Sequence, residues 1–129
     1  MAPPLTKILY VEDEADIRTV AQLALEAVAG FTLLPCAGGE EAVRKGPGFD
    51  PDLILLDVMM PGMDGPSTLA ALRALQPLKD VPVIFMTAKV QPTEIQRYRE
   101  LGALDVIAKP FDPMTLGDQV RSIWARAHV

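Results

Sequence analysis

The sequence predicts an α/β fold: a doubly wound sheet of five parallel strands, in the order 2-1-3-4-5, with five helices on its two faces. Three observations predict it. Short runs rich in Val, Ile and Leu recur at 7–11, 32–36, 53–56, 83–86 and 106–108, and most lack polar alternation, as strands buried on both faces do. Segments with helical spacing fill the gaps, so the chain alternates strand and helix throughout, and right-handed crossovers bury such a sheet between two helical layers. Four of the runs also end in polar residues of one chemical set.

The first run, Ile8-Leu9-Tyr10-Val11, leads into Glu12-Asp13. Ile17, Val20, Ala21, Ala24, Leu25 and Val28 then follow helical spacing, and Gly30 stops that helix. The run at 32–36 ends in Cys36, and a weaker helix follows from about Gly39 to Lys45, ended by Gly46-Pro47-Gly48. Leu53-Ile54-Leu55-Leu56 leads into Asp57, and a third helix spans about Ser67 to Leu75. Val83-Ile84-Phe85-Met86 leads into Thr87; Pro92 suits the first turn of a fourth helix, which ends near Gly102. Val106-Ile107-Ala108 leads into Lys109-Pro110. Asp112-Pro113 reads as an N-cap with proline at the first helical position, and Leu116, Val120, Ile123 and Ala127 line one face of the last helix. An order beginning 3-2-1 would call for a glycine-rich first turn, whereas this turn is Glu12-Asp13-Glu14.

The length of 129 residues suits one domain, placed at 7–127 after a short lead-in at 1–6, with no room for a second catalytic or DNA-binding domain. The hydrophobic half of the composition is ample for one core. A net charge of -5 disfavours phosphate backbones, so no direct nucleic-acid partner is expected. No apolar stretch is long enough to span a bilayer and none reads as a signal peptide, so no membrane partner is expected and the cytoplasm is the expected location. The lone Cys36 excludes an internal disulfide and reads as a buried small hydrophobe.

In a parallel sheet the polar ends emerge at one edge, where open α/β sheets bind ligands. Glu12, Asp13, Asp57, Thr87 and Lys109 therefore share one crevice, with three carboxylates against one ammonium. A like-charge pair near 4 Å costs on the order of 4 kcal/mol at an effective dielectric of 20. Such a cluster needs raised pKa values or a dication. Oxygen ligands without His or Cys favour a hard ion, and Mg²⁺ is the expected one. With the site neutralised, Asp57 can attack phosphorus and form an acyl phosphate, while Lys109 and Thr87 meet the charge on the phosphoryl oxygens. Each residue alone has a plainer use: Asp13 as a helix cap, Glu12 and Lys109 as solvated charges, Thr87 as a turn hydroxyl. His128, one residue from the C-terminus, is expected to fray, and Trp124 and Tyr98 to fill core or groove.

The motifs Tyr10-Val11-Glu12-Asp13-Glu14, Leu56-Asp57-Val58-Met59-Met60-Pro61-Gly62-Met63-Asp64-Gly65, Met86-Thr87-Ala88 and Ala108-Lys109-Pro110-Phe111 give the chain a resemblance to the receiver (response-regulator) family of two-component signalling, especially its stand-alone, chemotaxis-regulator-like members. The resemblance covers about Lys7 to Arg126 and implies the same flavodoxin-like sheet order. It implies that Asp57 is the phosphoacceptor, that Asp13 ligates Mg²⁺ directly with Glu12 assisting through water, and that the Met59 backbone carbonyl completes the protein's metal ligands. It implies that Thr87 is the switch hydroxyl, that Lys109 is the ion-pair partner and that the Lys109–Pro110 bond is cis. The implied donor is a phosphohistidine on a sensor histidine kinase or histidine phosphotransfer protein, and the output is contact with a downstream protein target.

One departure stands out. The family often has an aromatic residue three positions before the lysine; this chain has Val106, small and stiff at χ1. Any signal is then expected to travel through Thr87–Gln91 and the fourth helix. Val106 also motivates an alternative, a phosphorylation-independent protein-binding module on the same fold. A Mg²⁺ phosphatase with an Asp nucleophile would usually carry a second acid two positions on, where this chain has Met59, so turnover of a separate substrate is not expected. A flavin carrier would want a Ser/Thr/Gly-rich first loop rather than an acidic one.

Overall fold

The computed structural model describes residues 3–128, and within them five parallel strands form one sheet in the order β2-β1-β3-β4-β5. The strands are β1 (Lys7–Val11), β2 (Thr32–Cys36), β3 (Leu53–Asp57), β4 (Val83–Thr87) and β5 (Asp105–Ala108). The helices are α1 (Ala15–Leu23), α2 (Gly39–Phe49), α3 (Gly65–Arg73), α4 (Pro92–Glu100) and α5 (Leu116–Ala127). Strand order and class are those the apolar runs predict.

Strand side chains alternate between two cores. Ile8, Tyr10, Leu53, Leu55, Ile84 and Met86 point to the layer of α1 and α5, where Ala21, Leu25, Leu116, Val120 and Trp124 meet them. Leu9, Val11, Ile54, Leu56, Val83 and Phe85 point the other way, onto Ala42 of α2, Leu69 and Leu72 of α3, and Tyr98 of α4. Both faces of the central strands are covered, which is why their sequences show no polar alternation.

Several boundaries differ from the sequence reading. α2 runs through Gly46-Pro47-Gly48 to Phe49, with Pro47 inside the helix. Proline in a helix interior costs about 3 kcal/mol. Offsetting it, Phe49 packs on the α2–α4 core and Gly46 lets the helix lie close on the sheet, where an added Cβ would stand 3.1 Å from Leu78 Cδ1 and 3.2 Å from Leu9 Cδ2. α1 continues through a π turn at Ala24–Val28, which carries Val28 out to solvent although helical spacing places it on the buried face. Gly30, at φ 83°, ends that helix as expected. α3 starts earlier than Ser67, because Asp64 accepts a 2.8 Å hydrogen bond from the Ser67 backbone N–H and Pro66 fits the first turn. α5 starts later than Pro113. Asp112 accepts from Met114 N–H at 2.9 Å and so caps a separate turn, and α5 proper begins at Leu116, with Thr115 at its N-cap.

The lead-in lies partly outside the described residues, at Met1 and Ala2. Thr6 N–H donates to Asp52 Oδ2 at 3.0 Å, and Trp124 Nε1–H donates to the Pro3 carbonyl at 2.8 Å. His128 is not frayed: its ring lies 4.2 Å from that of Trp124 and its Nδ1 is 2.7 Å from the Trp124 carbonyl oxygen. Cys36 is buried, as expected, and burial pushes its thiol up to about 11. Among the described residues no helix is long and apolar enough to cross a membrane.

Candidate functional site

The C-terminal ends of β1, β3, β4 and β5 bring Glu12, Asp13, Asp57, Thr87 and Lys109 to one sheet edge. Val11 pairs with Leu56, Asp57 with Met86, and Thr87 with Ala108, so the polar ends fall level with one another. Glu12, Asp57 and Thr87 are buried. Each of Glu12, Asp13 and Asp57 offers a carboxylate oxygen within 4.8 Å of those of the other two.

Lys109 ties the cluster together. Its Nζ donates to Glu12 Oε1 at 2.8 Å and to Asp57 Oδ1 at 3.2 Å. Burial works against the ammonium, but its bond to Glu12 and the two negative charges win, and the Lys109 pKa is raised. Asp57 is pushed up to about 7, first by burial and then by the charge of Glu12, with Lys109 pulling the other way. One ammonium does not compensate three carboxylates, and Asp13 Oδ1 is buried with no hydrogen-bond partner. An oxygen-only cluster with a charge deficit and an unpaired carboxylate oxygen fits a hard divalent cation. The second oxygen of Glu12 is committed locally, accepting from Glu14 N–H at 3.2 Å.

The loops beside the cluster are also built. Val58 N–H donates to the Met86 carbonyl at 3.1 Å, and Gly65 N–H closes the loop after Asp57 on the Val58 carbonyl at 2.9 Å. A Cβ at Gly65 would stand 2.7 Å from Val58 Cα and 2.8 Å from the Asp57 carbonyl oxygen, so only glycine fits there. Met59, within the loop, exposes its side chain. Thr87 Oγ1 accepts from Lys89 N–H at 3.1 Å, and the Thr87 carbonyl accepts from Lys109 N–H at 2.9 Å. The Lys109–Pro110 peptide bond is cis.

Val106 is half-buried opposite Phe85 in register. The ring on Phe85 comes from α4 instead: Tyr98 meets it edge-on, with centroids 5.3 Å apart and planes at 76°. Tyr98 is the one buried residue of α4. Arg18 carries no site signal in the sequence, yet its Nη1 donates to the Glu12 carbonyl at 2.8 Å and lies 3.4 Å from that of Asp13. The need for glycine at 65 is likewise visible only in the folded loop. Neither feature has a local signal: an arginine in the first turns of a helix and a glycine after an aspartate are common, and only the folded loop gives them a partner.

The response regulator receiver domain model matches residues 8–121. The chain is 37% identical over 123 residues to the alkaline phosphatase synthesis transcriptional regulatory protein PhoP of Bacillus subtilis, covering 95% of this chain and 50% of that protein. It is 38% identical over 122 residues to the transcriptional regulatory protein ResD of the same organism, covering 95% and 49%. The chain thus spans about half the length of the curated relatives it matches. The solved structure of the chemotaxis response regulator CheY4 of Vibrio cholerae superposes with a TM-score of 0.84 at 31% identity, covering 93% of this chain and 99% of that one.

Proposed function

The chain belongs to the response regulator receiver domain family, and on that premise we propose that it is a signalling switch set by phosphorylation of Asp57 from a phosphohistidine donor. Residues 7–127 form the receiver unit in this reading, and the cytoplasm is its setting. The carrying observation is the bridge from Lys109 to Glu12 and Asp57 beside an Asp13 oxygen that has no partner.

An ionised Asp57 oxygen attacks the phosphorus of the phosphohistidine. The new O–P bond forms as the P–N bond breaks, and the imidazole leaves with the electron pair and takes up a proton. Lys109, already 3.2 Å from Asp57 Oδ1, meets the incoming negative charge. Thr87 uses its oxygen as an acceptor for Lys89 N–H, which leaves its own hydroxyl hydrogen free to donate to a phosphoryl oxygen. Asp13 and Asp57, the Met59 carbonyl and, through water, Glu12 would hold Mg²⁺. When bound, that ion supplies the missing positive charge and lowers the repulsion toward phosphate.

An apolar groove of about 410 Å³ supports a protein donor. Asp16, Ile17, Val20, Ala88, Pro110 and Phe111 line it together with Lys109, so a helix seated there would lie beside the crevice and could present its phosphohistidine to it. The donor is a sensor histidine kinase or histidine phosphotransfer protein. The output is contact with a downstream protein, and the receiver modifies itself rather than turning over a separate substrate. Incubation with a small-molecule phosphodonor and Mg²⁺, followed by intact mass measurement, tests the reading. One added phosphate is expected on the parent chain, and none on Asp57→Asn or with chelator present. Equal labelling of Asp57→Asn would overturn it.

A further inference from the structure

We infer that Arg18 is a positioning residue for the acidic cluster, holding the two backbone carbonyls from which the Glu12 and Asp13 carboxylates are presented to a divalent cation. The inference rests on the cation reading above and adds to it a residue outside the ligand set.

The turn after β1 is short of ordinary restraints. Glu14 stands at the N-cap of α1 but makes no capping bond with its own side chain. Glu12 is fixed on several sides: its N–H donates to the Cys36 carbonyl at 3.0 Å, Oε1 accepts from Lys109 and Oε2 from Glu14 N–H. Asp13 has no such frame. Its Oδ1 is buried without a partner, and its carbonyl faces the guanidinium of Arg18. From the first turns of α1, Arg18 reaches back with one nitrogen to both carbonyls, at 2.8 and 3.4 Å. Fixing these carbonyls fixes the peptide planes on both sides of the Asp13 Cα, and with them the direction of its side chain. A group that orients a ligand in this way typically accounts for 10- to 100-fold in metal affinity (as an order of magnitude, about one to two powers of ten).

The sign of the effect separates this role from the alternatives. Arg18 is a cation near a cation site, so charge alone predicts tighter metal binding when it is removed. A purely structural role predicts lower stability with unchanged affinity of the folded protein. Positioning predicts weaker binding despite the relief of repulsion.

The experiment is a calorimetric Mg²⁺ titration of the full chain, Arg18→Met and Arg18→Lys, with urea unfolding of each in chelator. Arg18→Met is expected to bind Mg²⁺ roughly tenfold more weakly than the parent, and Arg18→Lys to fall between, since an ammonium can still reach a carbonyl. Arg18→Met binding as tightly as the parent, or more tightly, would overturn the inference. If Arg18→Met does not fold, Arg18→Lys decides, and parental affinity in that variant overturns the inference. A parent chain with no saturable Mg²⁺ heat would instead overturn the cation reading itself.

Discussion

Lys109 and Asp57 are 52 residues apart in sequence, yet the Lys109 ammonium donates to Asp57 Oδ1 at 3.2 Å, from the loop after β5 to the end of β3. The same nitrogen holds Glu12 at 2.8 Å. This bridge sets a positive charge directly between two buried carboxylates, and three predictions concern the crevice it closes.

The first concerns pH. An unfolded aspartate titrates near 3.8, whereas Asp57 in the fold is pushed up to about 7. Below the unfolded value both states hold the proton and Asp57 imposes no penalty. As pH rises, the unfolded state releases its proton first, so stability is lost progressively until the loss is complete above the folded value. In chelator, the parent chain is expected to weaken from about pH 4 to about pH 7 relative to Asp57→Asn. Above that window the variant should be the more stable, by up to about 4 kcal/mol for a shift of this size. Urea unfolding of both chains across the window checks this; a variant no more stable than the parent at about pH 8 contradicts it.

Thr87 is the second. Its hydroxyl is buried and accepts from Lys89 N–H. Thr87→Ala should lose about 1 kcal/mol of stability, the net value of one hydrogen bond. It should still take up phosphate on Asp57, but amide shifts at 88–91 on phosphorylation should largely disappear. Two-dimensional NMR with and without phosphodonor measures both; parental shifts in the variant would remove Thr87 from the switch.

Two glycines form a matched pair for the third. A Cβ at Gly65 meets backbone at 2.7 and 2.8 Å, directly behind Asp57, whereas at Gly48 it meets nothing within 4 Å. Gly65→Ala is expected to cost about 1–3 kcal/mol and to slow labelling of Asp57. Gly48→Ala, exposed on α2, should gain about 0.5–1 kcal/mol and leave labelling unchanged. Thermal unfolding and labelling rates read both, and similar behaviour of the two variants would refute the close packing at Gly65.

A fourth prediction lies away from the crevice. α4 buries Tyr98 alone, against Phe85. Tyr98→Ala should cost about 3 kcal/mol and speed hydrogen exchange in α4 more than in α5. A uniform increase over both helices would show that Tyr98 is not the anchor of α4.

Much of this was legible in the sequence, for a physical reason: strands buried on both faces must be continuously apolar, and the residues that follow them share one edge. Leu53-Ile54-Leu55-Leu56 and Asp57 illustrate both halves of that rule. The boundaries were less legible because they depend on partners distant in sequence. Gly46-Pro47-Gly48 reads as a stop until Phe49 is seen on the core, and Val28 reads as buried until the π turn rotates it out. Asp112 and Pro113 carry true capping chemistry, spent on a turn rather than on α5. In the crevice, side chains at strand ends could be placed by topology alone. Arg18 and Gly65 could not, since each acts through a neighbouring backbone whose path only the fold defines.

Reductive trapping addresses the central claim most directly. The protein is treated with phosphodonor and Mg²⁺, reduced with borohydride and digested, and the modified residue is located by tandem mass spectrometry. An acyl phosphate is reduced to the alcohol, so the account predicts homoserine at position 57 alone, lost when Mg²⁺ is chelated. Homoserine at 13, or no modified residue in a chain that binds Mg²⁺, would contradict it.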